Sequence, residues 1–281
     1  MERSTIEDAG LAVITGASSG IGATFAEHLA ARGLNVVLVA RRQDRLEAVA
    51  RSITTRYPVS VQIKLADLSR PESAREFAQY LSNLENVEFL VNSAGFGTNS
   101  ALIDYDPLRL EQEIYLDLVA LILFNRAVLP RMLAKAKGNI INVSSVGGLN
   151  PSPYFAPYAA TKAAVIRFTQ SLYGELKGSG VKVQVLCPGP VPTEFNAIAN
   201  VGEMPVPKFL VQSSDDLVKG SLRDLDRGVL VSIPHSVCRR LFKFIALLPL
   251  EWRLSLIGNG MKKSAEKSSN TTRLRSTTLA K

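Results

Sequence analysis

Tyr158 and Lys162 stand four residues apart in the run Tyr158-Ala-Ala-Thr-Lys162, a spacing that sets a phenol and an ammonium on one face of a helix. A free phenol titrates at about 10, so it exchanges protons near neutrality only beside positive charge. Lys162 supplies such a charge. Upstream, Asn142-Val143-Ser144-Ser145 closes an apolar stretch of strand character. A serine hydroxyl there can stabilise charge that develops on a substrate oxygen. Ser145, thirteen residues before the tyrosine, and its neighbour Ser144 both qualify by type.

A second cluster suits phosphate. Thr15-Gly16-Ala17-Ser18-Ser19-Gly20-Ile21-Gly22 lies between a β-branched run and a helical pattern. Glycines let the backbone approach a pyrophosphate, and the start of the following helix offers free N–H groups and partial positive charge. The spacing G-x-x-x-G-x-G departs from the G-x-G-x-x-G fingerprint of dinucleotide sites, so the strand–turn–helix setting carries the reading. The next strand ends Val39-Ala40-Arg41-Arg42 with no acid after it. An acid at this point favours NAD and an arginine accommodates a 2′-phosphate, so Arg41, with Ser18 or Ser19, predicts NADP(H).

The elements that must position these groups follow from hydrophobic periodicity. Short apolar runs at 12–15, 36–40, 59–65, 89–92, 139–143, 182–186 and 229–233 read as strands. Helical patterns over 21–32, 44–56, 71–84, 107–134, 156–177 and 214–226 lie between them. The alternation predicts an α/β fold, a doubly wound parallel sheet with both faces buried and helices on either side. The expected division is a dinucleotide-binding catalytic domain at 1–238 and a C-terminal extension at 239–281, with 264–281 disordered for want of apolar residues.

TGASSGIG at 15–22, Asp67-Leu68, Asn92-Ser93-Ala94-Gly95, the Ser145–Tyr158–Lys162 set and Pro188-Gly189-Pro190-Val191-Pro192-Thr193 occur in one order. In that order the chain resembles the classical short-chain dehydrogenases/reductases over roughly residues 9–235. The resemblance implies a single Rossmann-like domain and an NADP(H)-dependent oxidoreductase acting on a carbonyl or alcohol. By the same resemblance Tyr158 is the acid/base at the substrate oxygen, Ser145 rather than Ser144 hydrogen-bonds the carbonyl, and Lys162 holds the nicotinamide ribose. Asp67 and Leu68 would meet the adenine, and Asn92, Ala94 and Gly95 would line the adenosine side. Pro188, Gly189, Val191 and Thr193 would border the nicotinamide end. One position departs: Asp117, thirteen residues before Pro130, stands where the family usually has an asparagine of the proton relay. The resemblance also implies a homodimer or homotetramer joined through the helices at 107–134 and 156–177.

Composition excludes other classes. The chain has 281 residues, 46% hydrophobic and 21% charged, ample for a buried core. Two cysteines and two histidines, without ligand spacing, predict neither a disulfide scaffold nor a metal site. Residues 239–281 hold ten basic side chains and two acidic ones, so the net charge of +8 resides in this tail and the body is neutral. That pattern argues against a nucleic-acid footprint and points to an anionic surface. No signal peptide or spanning run is legible, which predicts a cytoplasmic protein, peripheral to a membrane if the tail binds one. In the tail, basic residues flank the apolar run 242–250 and Trp252. This segment suits a membrane interface, a cover for the substrate cleft, or a subunit contact. The long loop at 194–212 carries Phe195, Ile198, Val201, Met204 and Phe209, which favours an apolar substrate such as a 3-oxoacyl or other lipid-like carbonyl. The competing expectation is an NADP(H)-binding sensor with weakened catalysis, or a membrane-associated interaction protein, motivated by Asp117 and the tail.

Overall fold

Runs such as Asn-Val-Val-Leu-Val-Ala have no polar face to offer water, so they are stable only in the middle of a sheet covered on both sides. The computed structural model describes residues 9–199, 207–258 and 261–262. In it seven strands form one parallel sheet: β1 (Leu11–Thr15), β2 (Asn35–Ala40), β3 (Val61–Leu65), β4 (Val87–Asn92), β5 (Gly138–Val143), β6 (Val181–Leu186) and β7 (Val231–Ser232). Their order is β3-β2-β1-β4-β5-β6-β7. The helices are α1 (Gly20–Ala31), α2 (Gln43–Arg56), α3 (Pro71–Asn83), α4 (Pro107–Ile114), α5 (Leu121–Ala134), α6 (Ala156–Glu175), the single turn α7 (Phe195–Ile198), α8 (Ser214–Asp226) and α9 (Ser236–Ile245). Residues 250–258 are also helical.

The chain winds outward from β1 to β3, then returns to β4 and winds the other way. The loops after β1 and β4 therefore diverge and open a crevice at the carboxyl ends of the strands, where such sheets bind ligands. Phe25, Leu29, Leu46, Ile53, Leu217 and Leu222 fill one face of the sheet. Phe77, Leu81, Phe124, Met132, Ile140 and Leu172 fill the other. Burial of each such side chain stabilises the fold by about 1.5–3 kcal/mol. A polar ladder crosses the second layer. The Asn142 carbonyl oxygen accepts from the side-chain amides of Asn92 (2.9 Å) and Asn125 (3.0 Å), while its own amide donates to Asn125 (3.2 Å) and Thr169 (3.1 Å).

Two expectations need correction. The sheet is not buried on both faces throughout: β3 is an edge strand, and its residues 62–65 are exposed. The helix expected over 107–134 is not uniform either. Between α4 and α5 it widens into a π turn at Tyr115–Ala120, with Asp117 in the turn. A π turn inserts an extra residue per turn and re-aims the side chains around it. The disorder expected at 264–281 lies outside the described residues, as do Val201 and Met204 of the long loop.

Candidate active site

The glycine turn is built by close backbone contact. A Cβ on Gly22 would lie 2.3 Å from the Gly16 carbonyl oxygen, and one on Gly16 would lie 2.9 Å from the Ala94 backbone. Larger residues would push β1, α1 and the loop after β4 apart. The Thr15 hydroxyl locks that loop by accepting the N–H groups of Ser93 and Ala94, both at 3.1 Å. Ile21 packs on the core. The start of α1 carries no acidic residue in its first turn and no side-chain cap from Ser19, so its N–H groups are left for an outside acceptor. This cradle fits a pyrophosphate.

Beside it, one Arg42 nitrogen donates to Ser18 (3.1 Å) and Ser19 (2.9 Å), and the other pairs with Glu194 at 2.7 Å. Arg45 approaches the same carboxylate at 3.7 Å, and these cations hold the Glu194 carboxyl below its ordinary range. Arg41, the arginine singled out from the sequence, instead has a side chain 65% exposed and lies 3.9 Å from Asp67. Asp67 accepts from the Ser69 hydroxyl (2.6 Å), and Leu68 is buried beneath it. Sequence reasoning missed Arg42 and Glu194. The only signal was the adjacent pair of arginines, because Glu194 meets Arg42 across 152 residues.

The phenol and its neighbours meet at the carboxyl ends of β4 and β5. Tyr158 is 7% exposed, its ring 4.7 Å from that of Phe155 and 5.3 Å from that of Phe195. Ser145, just after β5, caps a short turn by accepting Gly147 N–H at 3.0 Å. Ser144 is occupied elsewhere, donating to the Lys162 carbonyl at 2.7 Å. Lys162 Nζ stands 5.5 Å from the centre of the Tyr158 ring, 2.9 Å from Asp117 Oδ2, and 3.4 Å from the Val143 carbonyl. Asp117 also accepts Phe96 N–H at 3.1 Å. Gly95 is required by this packing, since its Cβ would fall 2.9 Å from Asp117 Oδ1 and 3.1 Å from Lys162 Nζ. Burial pushes the Tyr158 phenol above its ordinary value, against the pull of Lys162, so it holds its proton. Burial opposes the Lys162 charge, but Asp117 overcomes this and keeps the ammonium protonated.

The remaining predicted residues border the same crevice. Asn92 belongs to the polar ladder. The Pro188 carbonyl accepts Val146 N–H at 3.0 Å, Gly189 lies against Cys238, Val191 packs on the core, and Thr193 touches Gly20. Ile257 and Met261 of the C-terminal extension join Phe155, Phe195 and Tyr158 in one apolar cluster. The extension therefore packs beside the phenol. Among the described residues no group of His, Cys, Asp and Glu could hold a metal ion. Burial pushes the Cys187 thiol up to about 12, which suits the inert apolar residue expected there.

The family model for short chain dehydrogenases matches residues 10–203. A very-long-chain 3-oxoacyl-CoA reductase of Anas platyrhynchos is 32% identical over 253 residues, covering 88% of this chain and 78% of that protein. A short-chain dehydrogenase from Sphingobium yanoikuyae, solved in complex with NADPH, is 34% identical with a TM-score of 0.77, covering 85% of this chain and 96% of the other. A bulky-bulky ketone specific alcohol dehydrogenase from Comamonas testosteroni is 32% identical with a TM-score of 0.74, covering 89% and 94%. Sheet order, glycine cradle and these matches agree: the chain belongs to the short chain dehydrogenase family of oxidoreductases.

Proposed function

We propose that this protein is an NADP(H)-dependent oxidoreductase that interconverts an apolar ketone and its secondary alcohol, with Tyr158 as acid and base at the substrate oxygen. The observation that carries the reading is the buried phenol of Tyr158, with the Lys162 ammonium 5.5 Å from the centre of its ring and Ser145 just after β5. A bound dinucleotide would supply the hydride chemistry. Gly16, Gly20, Gly22 and the free N–H groups of α1 would hold its pyrophosphate, and Ser18, Ser19 and Arg42 its 2′-phosphate. Asp67, Leu68, Asn92, Ala94 and Gly95 would line the adenosine side, with Pro188, Gly189, Val191 and Thr193 toward the nicotinamide. Lys162 would bind the ribose.

In reduction, Ser145 orients the carbonyl oxygen and Tyr158 gives it a proton as negative charge develops there. The Lys162 ammonium then stabilises the phenolate left behind. Phe155, Phe195, Ile257 and Met261 exclude water and favour an apolar substrate. The names of the relatives, a long-chain 3-oxoacyl-CoA reductase and a bulky ketone dehydrogenase, support the same class. Exposed Leu108, Ile114, Val119 and Tyr173 suit self-association through the helices that carry them, and the exposed face of the extension suits a membrane surface.

The test is NADPH and NADH oxidation against bulky ketones and a long-chain 3-oxoacyl thioester. Turnover with NADPH is expected, and Tyr158→Phe should lower kcat at least a thousandfold, on the order of 4 kcal/mol of barrier. Undiminished turnover in that variant removes the assignment. The Asp117–Lys162 pair favours a second reading, a dinucleotide sensor with weakened catalysis. Tight NADPH binding with no carbonyl reduced would select it.

A further inference from the structure

Behind the Asp117–Lys162 pair lies a buried acid that the chemistry above does not use. Glu113 is fully inaccessible to solvent near the end of α4. Its Oε2 accepts the hydroxyl of Tyr105, itself buried, and its Oε1 has no hydrogen-bond partner among the described residues. The groups that face it are Tyr105 after the preceding turn, Thr98 in the loop after β4, Arg109 on its own helix, Asp117 in the π turn, and beyond them Lys162 and Tyr158 on α6. Arg109 is turned partly outward, donating to Thr98 at 2.7 Å and to the Ile198 carbonyl at 2.9 Å.

Two carboxyls and one ammonium are thus enclosed together. Glu113 is 0% exposed, Asp117 1% and Lys162 5%. Were both carboxyls ionised, one buried negative charge would lack a paired cation among the described residues, and neighbouring buried carboxyls avoid that state by keeping a proton. Asp117 has Lys162 at 2.9 Å, so the proton falls to Glu113.

We propose that Glu113 is a positioning residue that stores a titratable proton behind the Asp117–Lys162 pair, so that its ionisation makes Tyr158 a weaker acid. This rests on the reading of Tyr158 as the proton donor. Burial foremost, with Asp117 adding to it, pushes the Glu113 carboxyl up to about 7, so the switch falls near neutrality. A negative Glu113 opposes formation of the phenolate through the same low-dielectric site that lets Lys162 favour it.

Two measurements test this. The first is the pH profile of kcat for ketone reduction by the NADPH-loaded enzyme. The wild type is expected to lose activity severalfold across a limb centred near neutrality, and Glu113→Gln to lack that limb. Tyr105→Phe, which keeps the acid but removes a donor to its carboxylate, should move the limb to higher pH. The second needs no turnover: the tyrosinate absorbance of Tyr158, obtained as the difference from Tyr158→Phe. Its ionisation constant should rise at least tenfold in Glu113→Gln, because the wild type carries the extra negative charge at alkaline pH. An unchanged tyrosinate titration overturns the proposal whether or not the enzyme turns over, and so does a limb that survives in Glu113→Gln. Absence of any carbonyl reduction in the wild type, with the titration shifted as expected, would instead count against Tyr158 as a working acid.

Discussion

Exchanging asparagine for aspartate at position 117 changes what Lys162 can do for the phenol. An ammonium 2.9 Å from a carboxylate presents a dipole to Tyr158 rather than a bare charge, and so favours phenolate less. Asp117→Asn should therefore lower the pH at which alcohol oxidation reaches half its maximum, read from the kcat profile. It should also destabilise the fold by roughly 3 kcal/mol, since removing one partner strands the other's buried charge. Stability reports on Glu113 independently. Its folded pKa, about 7, lies above the ordinary value of 4.5, so the folded state binds more protons between those values. Its contribution is fully present below about 4.5 and is lost as pH rises through about 7, a loss of roughly 3 kcal/mol at 1.36 kcal/mol per unit. Urea midpoints should fall across this window in the wild type, and Glu113→Gln should flatten the slope. Tyr158 and Lys162 were legible from their four-residue helical spacing, whereas Ser145 over Ser144, and Asp117, were picked out only by the positions that the family resemblance implies. Glu113 was not, because its importance depends on burial, and an acid in a helix otherwise reads as a solvated face.

At the level of elements, the order of strands and helices was legible from periodicity alone, because apolar runs of five or six residues have few other uses. Ends differ by a residue or two, as fraying and capping allow. What periodicity could not give was lateral position: nothing in Val61–Leu65 marks it as an edge strand, which is why its exposure was missed. The same gap hid the partner of the cofactor-side serines. Arg41 and Arg42 leave β2 in succession and point different ways, and only Arg42 reaches Ser18 and Ser19. A charge-assisted contact with a 2′-phosphate contributes about 1.5–3 kcal/mol. Arg42→Ala is thus expected to raise the KM for NADPH about ten- to a hundredfold, with little change for NADH. Arg41→Ala, measured alongside, should have the smaller effect, and the reverse ranking would return the role to Arg41.

On the whole-molecule scale the +8 charge and the exposed apolar surface converge on one segment. Among the described residues no helix is long and apolar enough to cross a membrane. The extension instead has two sides. Cys238, Ile245, Ile257 and Met261 turn inward, and the last two reach the Tyr158 cluster. Phe244, Leu247, Trp252 and Leu256 are 62%, 83%, 66% and 61% exposed. Arg239, Arg240 and Lys243 are exposed on the same segment. Apolar and aromatic residues ringed by cations suit the interface of an anionic bilayer, each cation adding about 1 kcal/mol near the surface. A substrate dissolved in that bilayer would then meet the crevice from the side where the extension packs. The protein should co-sediment with vesicles containing anionic lipid and less so with neutral ones, and added salt should weaken binding by screening. Leu247→Glu with Trp252→Glu should leave it in the supernatant while activity on a water-soluble ketone persists, because neither side chain belongs to the Tyr158 cluster. Truncation at residue 238 should behave differently, losing vesicle binding and raising KM for apolar ketones together, since it also strips Ile257 and Met261 from the phenol. If the double variant sediments as the wild type does, the exposed face is not a lipid contact, and its apolar surface would have to be covered by another copy of the chain.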